Sequence, residues 1–217
     1  NGILAGMELA PVIFHAVDPG LEITSSRKDG DTVKPGDVGL LVRGHAQSIL
    51  QAERLVLNCM QRMSGIATYT HRLRSLIAHT KAQLLDTRKT TPNFRMMEKW
   101  AVVIGGGLNH RYGLFDMIIL KDNHVDYAGG IRQAVEATHR YLEEVEQVLA
   151  VGGVTRIMLD NMPPDLMREA VQLIGGRFAT EASGGITEST IAAVAESGVD
   201  YISVGALTHS VKSLDIS

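Results

Sequence analysis

The second half of the chain alternates short apolar runs with polar clusters and amphipathic stretches. Apolar runs at Ala82–Leu85, Met117–Leu120 and Val154–Leu159 each break off into charged or polar residues. Amphipathic stretches with helical start and end signals lie between them. Strands that alternate with helices of this length predict right-handed βα units and a parallel sheet. Because polar and glycine residues follow directly after each strand, an α/β barrel is favoured, with its βα loops forming the active face.

The remaining strands and helices of this half follow the same pattern. Arg177–Ala182 and Tyr201–Val204 are the other predicted strands. The predicted helices are Asn93–Val103, Gly130–Leu142, a segment opened by Pro163-Pro164 and closed after Ile174 by Gly175-Gly176, and one that Thr187 caps and that runs through Glu196.

One place breaks the alternation. Glu143–Leu149 is a further helical pattern, and it follows Gly130–Leu142 with no apolar strand between the two. A βα barrel places a strand there, so either a unit is deleted or residues are absent from the sequence; we favour absent residues. We also expect residues to be missing before Asn1, since the sequence does not begin with a methionine.

The N-terminal part has a different character. Residues 1–45 indicate a β-rich lobe, because the apolar run Ala10–Val17 is followed by an alternating run at Leu21–Ser25 and a further strand at Val38–Val42. Polar turns rich in Gly, Pro and Asp separate these runs. The lobe is therefore predicted to consist of short strands joined by tight turns.

A long helix is predicted after this lobe. Ala46–Met63 has apolar residues at helical spacing, and Arg54 lies on its polar stripe. Ser64-Gly65 is expected to interrupt the helix, and Ile66–His79 to resume it as a second segment.

Composition narrows the classes of function. The 217 residues carry a net charge of −3, so nothing global indicates nucleic acid or an anionic membrane as a partner. The single cysteine, Cys59, excludes an internal disulfide framework and fits a reducing compartment. No apolar run approaches the roughly 20 residues that span a bilayer, and no signal peptide is visible. We therefore expect a cytoplasmic protein with a local basic site.

Cations gather where two of the predicted strands end. Two hydroxyls and two cations follow the strand at Ala82–Leu85, and a lysine follows the strand at Met117–Leu120. The arginine fork suits bidentate capture of a carboxylate or phosphate, and lysine offers a compact charge. A solvated loop is the alternative for the first cluster taken alone. The whole set predicts a polyanion site made by Thr87, Arg88, Lys89, His110, Arg111 and Lys121.

Carboxylates also lie at or near the ends of predicted strands. Asp122, Asp160 and Glu181 offer hard oxygen donors, which suggests Mg²⁺ held partly by substrate oxygens. The same carboxylates would equally serve to orient the basic residues by ion pairing. His110 and His124 have no partner at metal-ligand spacing, so a zinc site is not expected.

Two glycine-containing loops suggest phosphate binding. Ser183-Gly184-Gly185 follows a strand and is expected to open a helix, whose N-terminus favours anions. Ser203-Val204-Gly205-Ala206 ends the next strand. In α/β barrels the loops after the last two strands commonly hold a phosphate, although a single S-G-G is often a plain turn.

Several long motifs occur in a fixed order along the chain. They are A-E-R-x-x-L-N-x-x-x-x-x-S-G-I-A-T from Ala52, D-T-R-K-T-T-P from Asp86, E-K-W-A-V from Glu98, G-G-G-x-N-H-R-x-G-L-x-D from Gly105, K-D-N-H from Lys121, L-D-N from Leu159, E-A-S-G-G-I from Glu181 and V-G-A-L-T-H-S from Val204. Together these motifs resemble the quinolinate phosphoribosyltransferase family (nicotinate-nucleotide pyrophosphorylase, carboxylating).

The resemblance implies an α/β fold with two lobes. An N-terminal α/β sandwich lobe would comprise residues 1–64, joined by the segment 207–217, and an α/β barrel would comprise residues 65–206. It also implies a reaction in which quinolinate and phosphoribosyl pyrophosphate give nicotinate mononucleotide, pyrophosphate and CO₂, with Mg²⁺ as cofactor.

The resemblance further implies a role for each site residue. Arg88, Lys89, His110 and Arg111, with Thr87, would hold the quinolinate carboxylates. Lys121 and Asp160 would face the phosphoribosyl pyrophosphate and its metal, and Lys121, Asp160 and Lys89 are the candidate catalytic residues. Ser183, Gly184, Gly185, Val204, Gly205 and Ala206 would cradle the 5′-phosphate. Arg54 would reach into the site of a neighbouring subunit, because the family works as a dimer or a multiple of one.

The chain departs from the family pattern at two points, and two alternatives stay open. A strand with a V-E-V-type motif, whose glutamate serves the sugar and metal site, is expected before Glu143 and is missing. The region before Asn1 is also short. The alternatives are a paralogous phosphoribosyltransferase for another ring acid or base, and a non-catalytic regulator that binds a phosphosugar.

Overall fold

The chain forms two compact units. The computed structural model describes residues 1–110, 118–121, 129–133, 135–136 and 156–217. Unit 1 comprises Asn1–Arg72, Arg88–Asn109 and Gly205–Ser217, and unit 2 comprises Leu73–Thr87 and His110–Val204. These units follow spatial contacts, whereas the domain bounds at residues 64 and 206 stay predictions from the sequence.

Unit 1 combines two small antiparallel sheets with helices. Its strands are β1 (Gly2–Ile3), β2 (Glu22–Ser25), β3 (Thr32–Val33) and β4 (Leu40–Arg43), where β1 pairs with β3 and β2 with β4. Its helices are α1 (Leu9–Val17), most of α2 (Ala46–Leu76), α3 (Arg95–Ile104) and the short α6 (Ala206–His209). Met7, Phe14, Leu21, Val56 and Met60 lie in the hydrophobic core of this unit.

The apolar run Ala10–Val17, which was predicted to belong to a β-rich lobe, is helical. It forms nearly all of α1, so this prediction is wrong. The residues that face the core, Ala10 and Phe14, are four positions apart, which is helical spacing. Val12, on the other side, is 64% exposed. Apart from His15 the run is apolar throughout, which hides this periodicity, because exposed positions such as Val12 are apolar as well.

The predicted interruption at Ser64-Gly65 is also wrong, because α2 continues through both residues. The Ser64 hydroxyl accepts a hydrogen bond from the Ala5 amide at 2.9 Å and donates one to the Ala5 carbonyl at 3.1 Å. A Cβ at position 65 would overlap the Lys212 carbonyl oxygen and approach the Ser213 Cα to 3.0 Å. The small residues therefore permit close packing of other segments against the helix and do not end it.

Unit 2 contains a five-stranded parallel sheet, which confirms the predicted α/β fold. Its strands are β5 (Gln83–Leu85), β6 (Ile118–Lys121), β7 (Arg156–Asp160), β8 (Ala179–Ser183) and β9 (Tyr201–Ser203), in the spatial order β5-β9-β8-β7-β6. The first of these strands lies beside the last, as in a barrel. The predicted strands of this half are thus found within a few residues of their expected positions.

The break in the alternation falls largely outside the described residues. Of the predicted helix Gly130–Leu142, residues 131–133 and 135–136 are helical, and the stretch 137–155, which contains Glu143–Leu149, is not among the described residues. β6 pairs directly with β7, with Lys121 opposite Asp160. Among the described strands, none lies between β6 and β7, where the family pattern led us to expect one.

The two helices of unit 2 that follow β7 and β8 differ in how well they were predicted. α4 (Pro164–Ile174) ends at Gly175, whose φ of 61° lies in the left-handed region, as expected. α5 (Ile191–Glu196) begins four residues after Thr187, so the predicted cap is wrong. The Thr187 amide donates to the Thr190 hydroxyl at 2.9 Å, which closes a turn before the helix.

Within the described parts of the chain, no helix combines the length and the apolar character that crossing a membrane requires.

Candidate active site

The carboxyl edge of the parallel sheet collects three of the sequence-predicted site residues. Lys121 at the end of β6 lies opposite Asp160 on β7, and Asp160 lies opposite Ser183 on β8. These backbone positions form one row, since parallel strands in register bring their carboxyl ends to the same edge. The row places a lysine, an aspartate and a serine position where α/β proteins bind their ligands.

His110 is held at the end of β5. Its backbone amide donates a hydrogen bond to the Asp86 Oδ1 at 2.7 Å, and the Asp86 side chain is fully buried. Asp86 directly follows Leu85, the last residue of β5. A buried carboxylate needs a donor, and the His110 amide supplies one. The aspartate that opens the first charged cluster thus anchors the chain around His110.

Glu181 links His110 to an arginine on the neighbouring strand. Its Oε1 lies 2.9 Å from the His110 Nε2, and its Oε2 accepts from the Arg156 Nη1 at 2.9 Å. The Glu181 side chain is fully buried, and that of His110 is 8% exposed. Of the two roles that the sequence left open for Glu181, metal binding or the orientation of basic residues, these contacts belong to the second.

The pKa of the Glu181 carboxyl is held below its ordinary value. Burial alone would raise this pKa, because it removes water from the charged form. The hydrogen bond and the charge of His110 outweigh burial, with further hydrogen bonds from Arg156 and Ser203. Glu181 is therefore a carboxylate at neutral pH, and the His110 Nε2 carries the proton that it shares with this carboxylate.

Arg156 was missed by the sequence analysis. Its guanidinium lies 3.8 Å from the centre of the Tyr201 ring, a cation–π contact, while it pairs with Glu181. An arginine at the start of a strand is usually a solvated end, so nothing local singled it out. The usable signal is the strand register: Arg156 and Glu181 project from the same face of the sheet, since Arg156 lies opposite Ala179, two residues before Glu181.

Steric crowding explains why a glycine is found at position 184, in the loop after β8. Gly184 has a φ of 91°, and a Cβ there would overlap the Asn161 side chain and come within 2.8 Å of the Asn161 amide nitrogen. The Asn161 amide donates to the Ser183 carbonyl at 2.8 Å. Glycine is therefore required by the packing of the two loops. The phosphate cradle predicted at Ser183, Gly184 and Gly185 stays a prediction.

In unit 1 the loop after Thr87 presents two exposed cations. Arg88 and Lys89 are both exposed, whereas the Lys89 carbonyl accepts a hydrogen bond from the Thr208 hydroxyl at 2.8 Å. A Cβ at Gly205 would lie 3.0 Å from the His209 Nε2 and 3.3 Å from the Lys89 Cδ. Lys89 and Gly205, which the sequence assigned to different parts of the site, thus lie close together.

The predicted site residues are distributed over both units. Arg54, exposed on α2, lies in unit 1 with Arg88, Lys89, Gly205 and Ala206; unit 2 holds Thr87, His110, Lys121, Asp160, Ser183, Gly184, Gly185 and Val204. Val204, directly after β9, extends the pairing of β9 with β5, because its amide donates to the Leu85 carbonyl at 3.1 Å. Arg111, Asp122 and His124 lie outside the described residues.

The described carboxylates fit a metal that is held mainly by its substrate. Among the described residues, no group of three or more His, Cys, Asp or Glu side chains is arranged to hold a metal ion. Glu181 is engaged by His110 and Arg156, which leaves Asp160 at the carboxyl edge. Mg²⁺ typically uses one or two carboxylates together with substrate phosphates and water, so a single aspartate in this position is compatible with it.

These features define an α/β protein whose parallel strands end in a row of polar residues, at the edge where α/β proteins bind their ligands. Comparison with known families narrows this class. Residues 1–64 match the model of the N-terminal domain of quinolinate phosphoribosyl transferase, and residues 66–217 match that of its C-terminal domain. The chain belongs to the quinolinate phosphoribosyltransferase family.

Curated relatives match over the whole chain. The chloroplastic nicotinate-nucleotide pyrophosphorylase [carboxylating] of Arabidopsis thaliana is 49% identical over 247 positions, which cover 100% of this chain and 70% of the relative. The probable nicotinate-nucleotide pyrophosphorylase [carboxylating] of Bacillus subtilis is 42% identical and is covered to 79%. The alignment with the plant protein thus runs over more positions than the 217 residues of this chain.

Solved structures agree with this assignment. The crystal structure of NadC from Streptococcus pyogenes matches with a TM-score of 0.80 at 39% identity, over 100% of this chain and 81% of that one. The nicotinate-nucleotide pyrophosphorylase from Francisella tularensis matches with a TM-score of 0.79 at 40% identity, with the same coverage. At this identity the likeness extends beyond the fold to the family.

Proposed function

We propose that this chain transfers a phosphoribosyl group from phosphoribosyl pyrophosphate to quinolinate and releases pyrophosphate and CO₂, with nicotinate mononucleotide as the product. The observation that carries the proposal is the row of Lys121, Asp160 and Ser183 at the carboxyl edge of a parallel sheet, in a chain that matches both domains of the family. Both substrates are polyanions, and a site for them needs several cations in one place.

Quinolinate, the ring acid, is assigned to a histidine and three cationic residues. Arg88, Lys89, His110 and Arg111 hold the quinolinate carboxylates in this proposal, with Thr87 beside them. Support comes from the exposure of Arg88 and Lys89 and from the fixed position of His110 between Asp86 and Glu181. A protonated Nε2 that is already committed to Glu181 fixes the orientation of the imidazole ring.

The phosphoribosyl pyrophosphate is assigned to the sheet edge. Lys121 and Asp160 face the pyrophosphate and the ribose, and the loops at 183–185 and 204–206 take the 5′-phosphate. Asp160 would hold Mg²⁺ largely through substrate oxygens, and the bound metal would neutralise charge on the pyrophosphate. The register that sets Lys121 beside Asp160 supports this assignment.

The residues act by positioning and electrostatics. Loss of pyrophosphate from the ribose C1 develops positive charge on the sugar, and the quinolinate nitrogen bonds to C1 as the C1–O bond breaks. Lys121 stabilises the charge that accumulates on the departing pyrophosphate. The electron pair of the C–C bond to the adjacent carboxylate stays on the ring carbon when CO₂ leaves, because the positive charge of the quaternised nitrogen stabilises it there, and the ring carbon then takes a proton. For this second step the pocket only has to hold the ring in place.

The proposal is tested with the purified chain, quinolinate, phosphoribosyl pyrophosphate and Mg²⁺. We expect CO₂ release that requires both substrates and that is lost in a Lys121→Ala variant. A panel of other ring acids and bases covers the paralogous alternative, which would show turnover of a different acceptor. Binding of both ligands without turnover of any acceptor would contradict the proposal and favour a phosphosugar-binding regulator.

The assembly is part of the proposal. We infer a homodimer, or a multiple of dimers, in which Arg54 serves the site of the neighbouring subunit. The exposure of Arg54 on α2 is compatible with a contact outside its own subunit. Mixing Arg54→Ala with Lys121→Ala subunits should restore part of the activity, because one of the two hybrid sites is then intact. No recovery in verified heterodimers would argue against a shared site.

A cytoplasmic location also belongs to the proposal. It rests on the single cysteine and on the reducing compartment that this composition fits. Some plant relatives are named as chloroplastic or mitochondrial. Microscopy of the full-length protein with a C-terminal tag in its native cells tests the location, and an organellar signal would contradict it.

A further inference from the structure

The loop that carries Arg88 and Lys89 is fixed through its backbone. The Arg88 carbonyl accepts from the Thr90 amide at 2.9 Å and from the Arg95 Nη2 at 3.3 Å. The Lys89 carbonyl accepts from the Thr208 hydroxyl at 2.8 Å. The side chains of Arg88 and Lys89 are both exposed, although the backbone that carries them is held by these hydrogen bonds.

The far end of this loop is fixed to a buried carboxylate. Glu98 on α3 is fully buried, and it accepts from the Thr91 amide at 3.0 Å and from the Thr91 hydroxyl at 2.8 Å. A buried carboxylate is costly unless it is paired and fully hydrogen-bonded. Thr91 supplies two of the donors, and it lies in the loop itself.

Arg62 on α2 supplies the countercharge for Glu98. Its Nε and Nη2 reach the Glu98 Oε1 at 3.1 and 2.8 Å. The same guanidinium donates to the Val211 carbonyl at 2.8 Å and to the Thr208 carbonyl. A planar guanidinium with several fixed donors can serve a carboxylate and two carbonyls together, which the ammonium of lysine does poorly.

These contacts form a closed set within unit 1. Thr208 donates its hydroxyl to the loop and offers its carbonyl to Arg62, Arg62 pairs with Glu98, and Glu98 returns to the loop at Thr91. Thr208 meets the loop at the Lys89 backbone carbonyl, and Glu98 meets it at Thr91. Arg62, Glu98 and Thr208 are therefore placed to hold the backbone that carries the two cations. We call these three residues the loop brace.

We propose that the loop brace preorganises Arg88 and Lys89 for the ring acid, so that Arg62, Glu98 and Thr208 are positioning residues of the reaction. This inference rests on the proposed function, which assigns the ring acid to these cations. Immobilising a long side chain on binding costs conformational entropy. A loop fixed beforehand avoids the additional cost of ordering its backbone. The loop brace should therefore act mainly on quinolinate affinity.

Thr208→Val is the most direct test, because it removes the hydroxyl and keeps the shape of a buried side chain. We expect a rise of tenfold or more in the KM for quinolinate, with a smaller change in kcat and in the KM for phosphoribosyl pyrophosphate. Thr208→Ser restores the hydroxyl and should restore the KM. Thr91→Val, on the opposite side of the loop, is a second variant should Thr208→Val fail to fold.

Ser64→Ala is the matched control. It also removes a buried hydroxyl in unit 1, one that bonds to Ala5 and not to the loop. It should lower stability without changing the KM for quinolinate. An unchanged KM in Thr208→Val and Thr91→Val, a failed rescue by Thr208→Ser, or an equal KM rise in Ser64→Ala would overturn the loop brace.

Amide hydrogen exchange separates this inference from the proposed function. In the unliganded protein, Thr208→Val should speed the exchange of the Thr91 amide, and Thr208→Ser should not. This readout needs no turnover. A wild-type chain without quinolinate turnover would defeat the proposed function, whereas an unchanged exchange rate at Thr91 in Thr208→Val would overturn the loop brace.

Discussion

Two buried glutamates, one in each unit, make similar ion pairs for different ends. Glu98 in unit 1 and Glu181 in unit 2 are fully buried, and each pairs with an arginine whose side chain is 23% exposed. Glu98 also accepts hydrogen bonds from the backbone amide and the hydroxyl of Thr91 in a loop, whereas Glu181 is also hydrogen-bonded to the ring of His110. A buried carboxylate can thus fix either a segment of chain or a single side chain, and the third partner decides which.

The comparison makes Glu181→Ala the most damaging single change. It would leave Arg156 and His110 without their shared anion, and breaking a buried pair costs about 3–5 kcal/mol. Glu98→Ala should cost less, because Arg62 keeps the Thr208 and Val211 carbonyls as acceptors. Urea unfolding of both variants measures the difference. An equal or reversed order would break the distinction between the two sites.

The pH dependence of stability sharpens the same comparison. Since the pKa of Glu181 is lower in the folded protein than the ordinary value of 4.5, its stabilising contribution is present above that value. The contribution is lost as the pH falls through the folded pKa. Wild-type stability should therefore drop on acidification with a component that Glu181→Gln lacks. If the free energy of unfolding, measured with urea, falls equally steeply with decreasing pH in the wild type and in Glu181→Gln, this assignment is contradicted.

Gly65→Ala tests the packing of unit 1 independently of charge. Alanine normally favours a helix over glycine by about 1 kcal/mol. Here the added methyl meets the backbone of the segment Lys212–Leu214, and overpacking of this kind costs about 1–3 kcal/mol. Thermal unfolding should therefore show a lower Tm. A higher Tm would mean that the segment moves aside freely.

Arg156→Lys probes the stacking part of the Glu181 site. The charge is kept, but the planar contact with Tyr201 is lost, which is expected to cost about 1–2 kcal/mol. Urea unfolding measures it, and Tyr201→Leu serves as the matched change on the other partner. If the loss of stability in the double variant equals the sum of the losses in the two single variants, the Tyr201 ring and the Arg156 guanidinium do not interact.

The smallest effect is expected at the surface pair of Lys81 and Asp200. The Lys81 side chain is 63% exposed, and exposed pairs contribute about 0–1 kcal/mol. Lys81→Ala should change stability by less than about 1 kcal/mol. Asp200→Ala should cost more, because Asp200 also accepts from the Thr180 amide and hydroxyl at 2.8 and 2.9 Å. Equal effects would mean that the exposed ion pair contributes more than this account allows.

The sequence predicted the sheet well because its signals are local. Apolar runs bounded by polar clusters placed β5 through β9, and strand ends placed Lys121, Asp160 and Ser183 at one edge. The α5 start was missed for the opposite reason: Thr187 has the chemistry of a cap, but a turn to Thr190 intervenes. Local chemistry names a role without saying which of several nearby bonds will form.

What the sequence missed depends on contacts between distant segments. A glycine is needed at position 65 inside α2 because the C-terminal segment passes close to the helix there. The sequence around Gly65 gives no sign of this distant contact. Arg156 acquires its role from strand register, and Glu98 from an arginine on another helix. The sequence left Glu181 between metal binding and ion pairing, and the decision required the positions of His110 and Arg156.

Tracing the atoms of quinolinate through the reaction tests the central claim most directly. Quinolinate labelled in the carboxylate next to the ring nitrogen, and separately in the ring, is incubated with the purified chain, phosphoribosyl pyrophosphate and Mg²⁺. The account predicts that the carboxylate label leaves as CO₂ and that the ring label appears in nicotinate mononucleotide, in equal amounts. Ring label that stays in quinolinate, under conditions where both substrates bind, would contradict it.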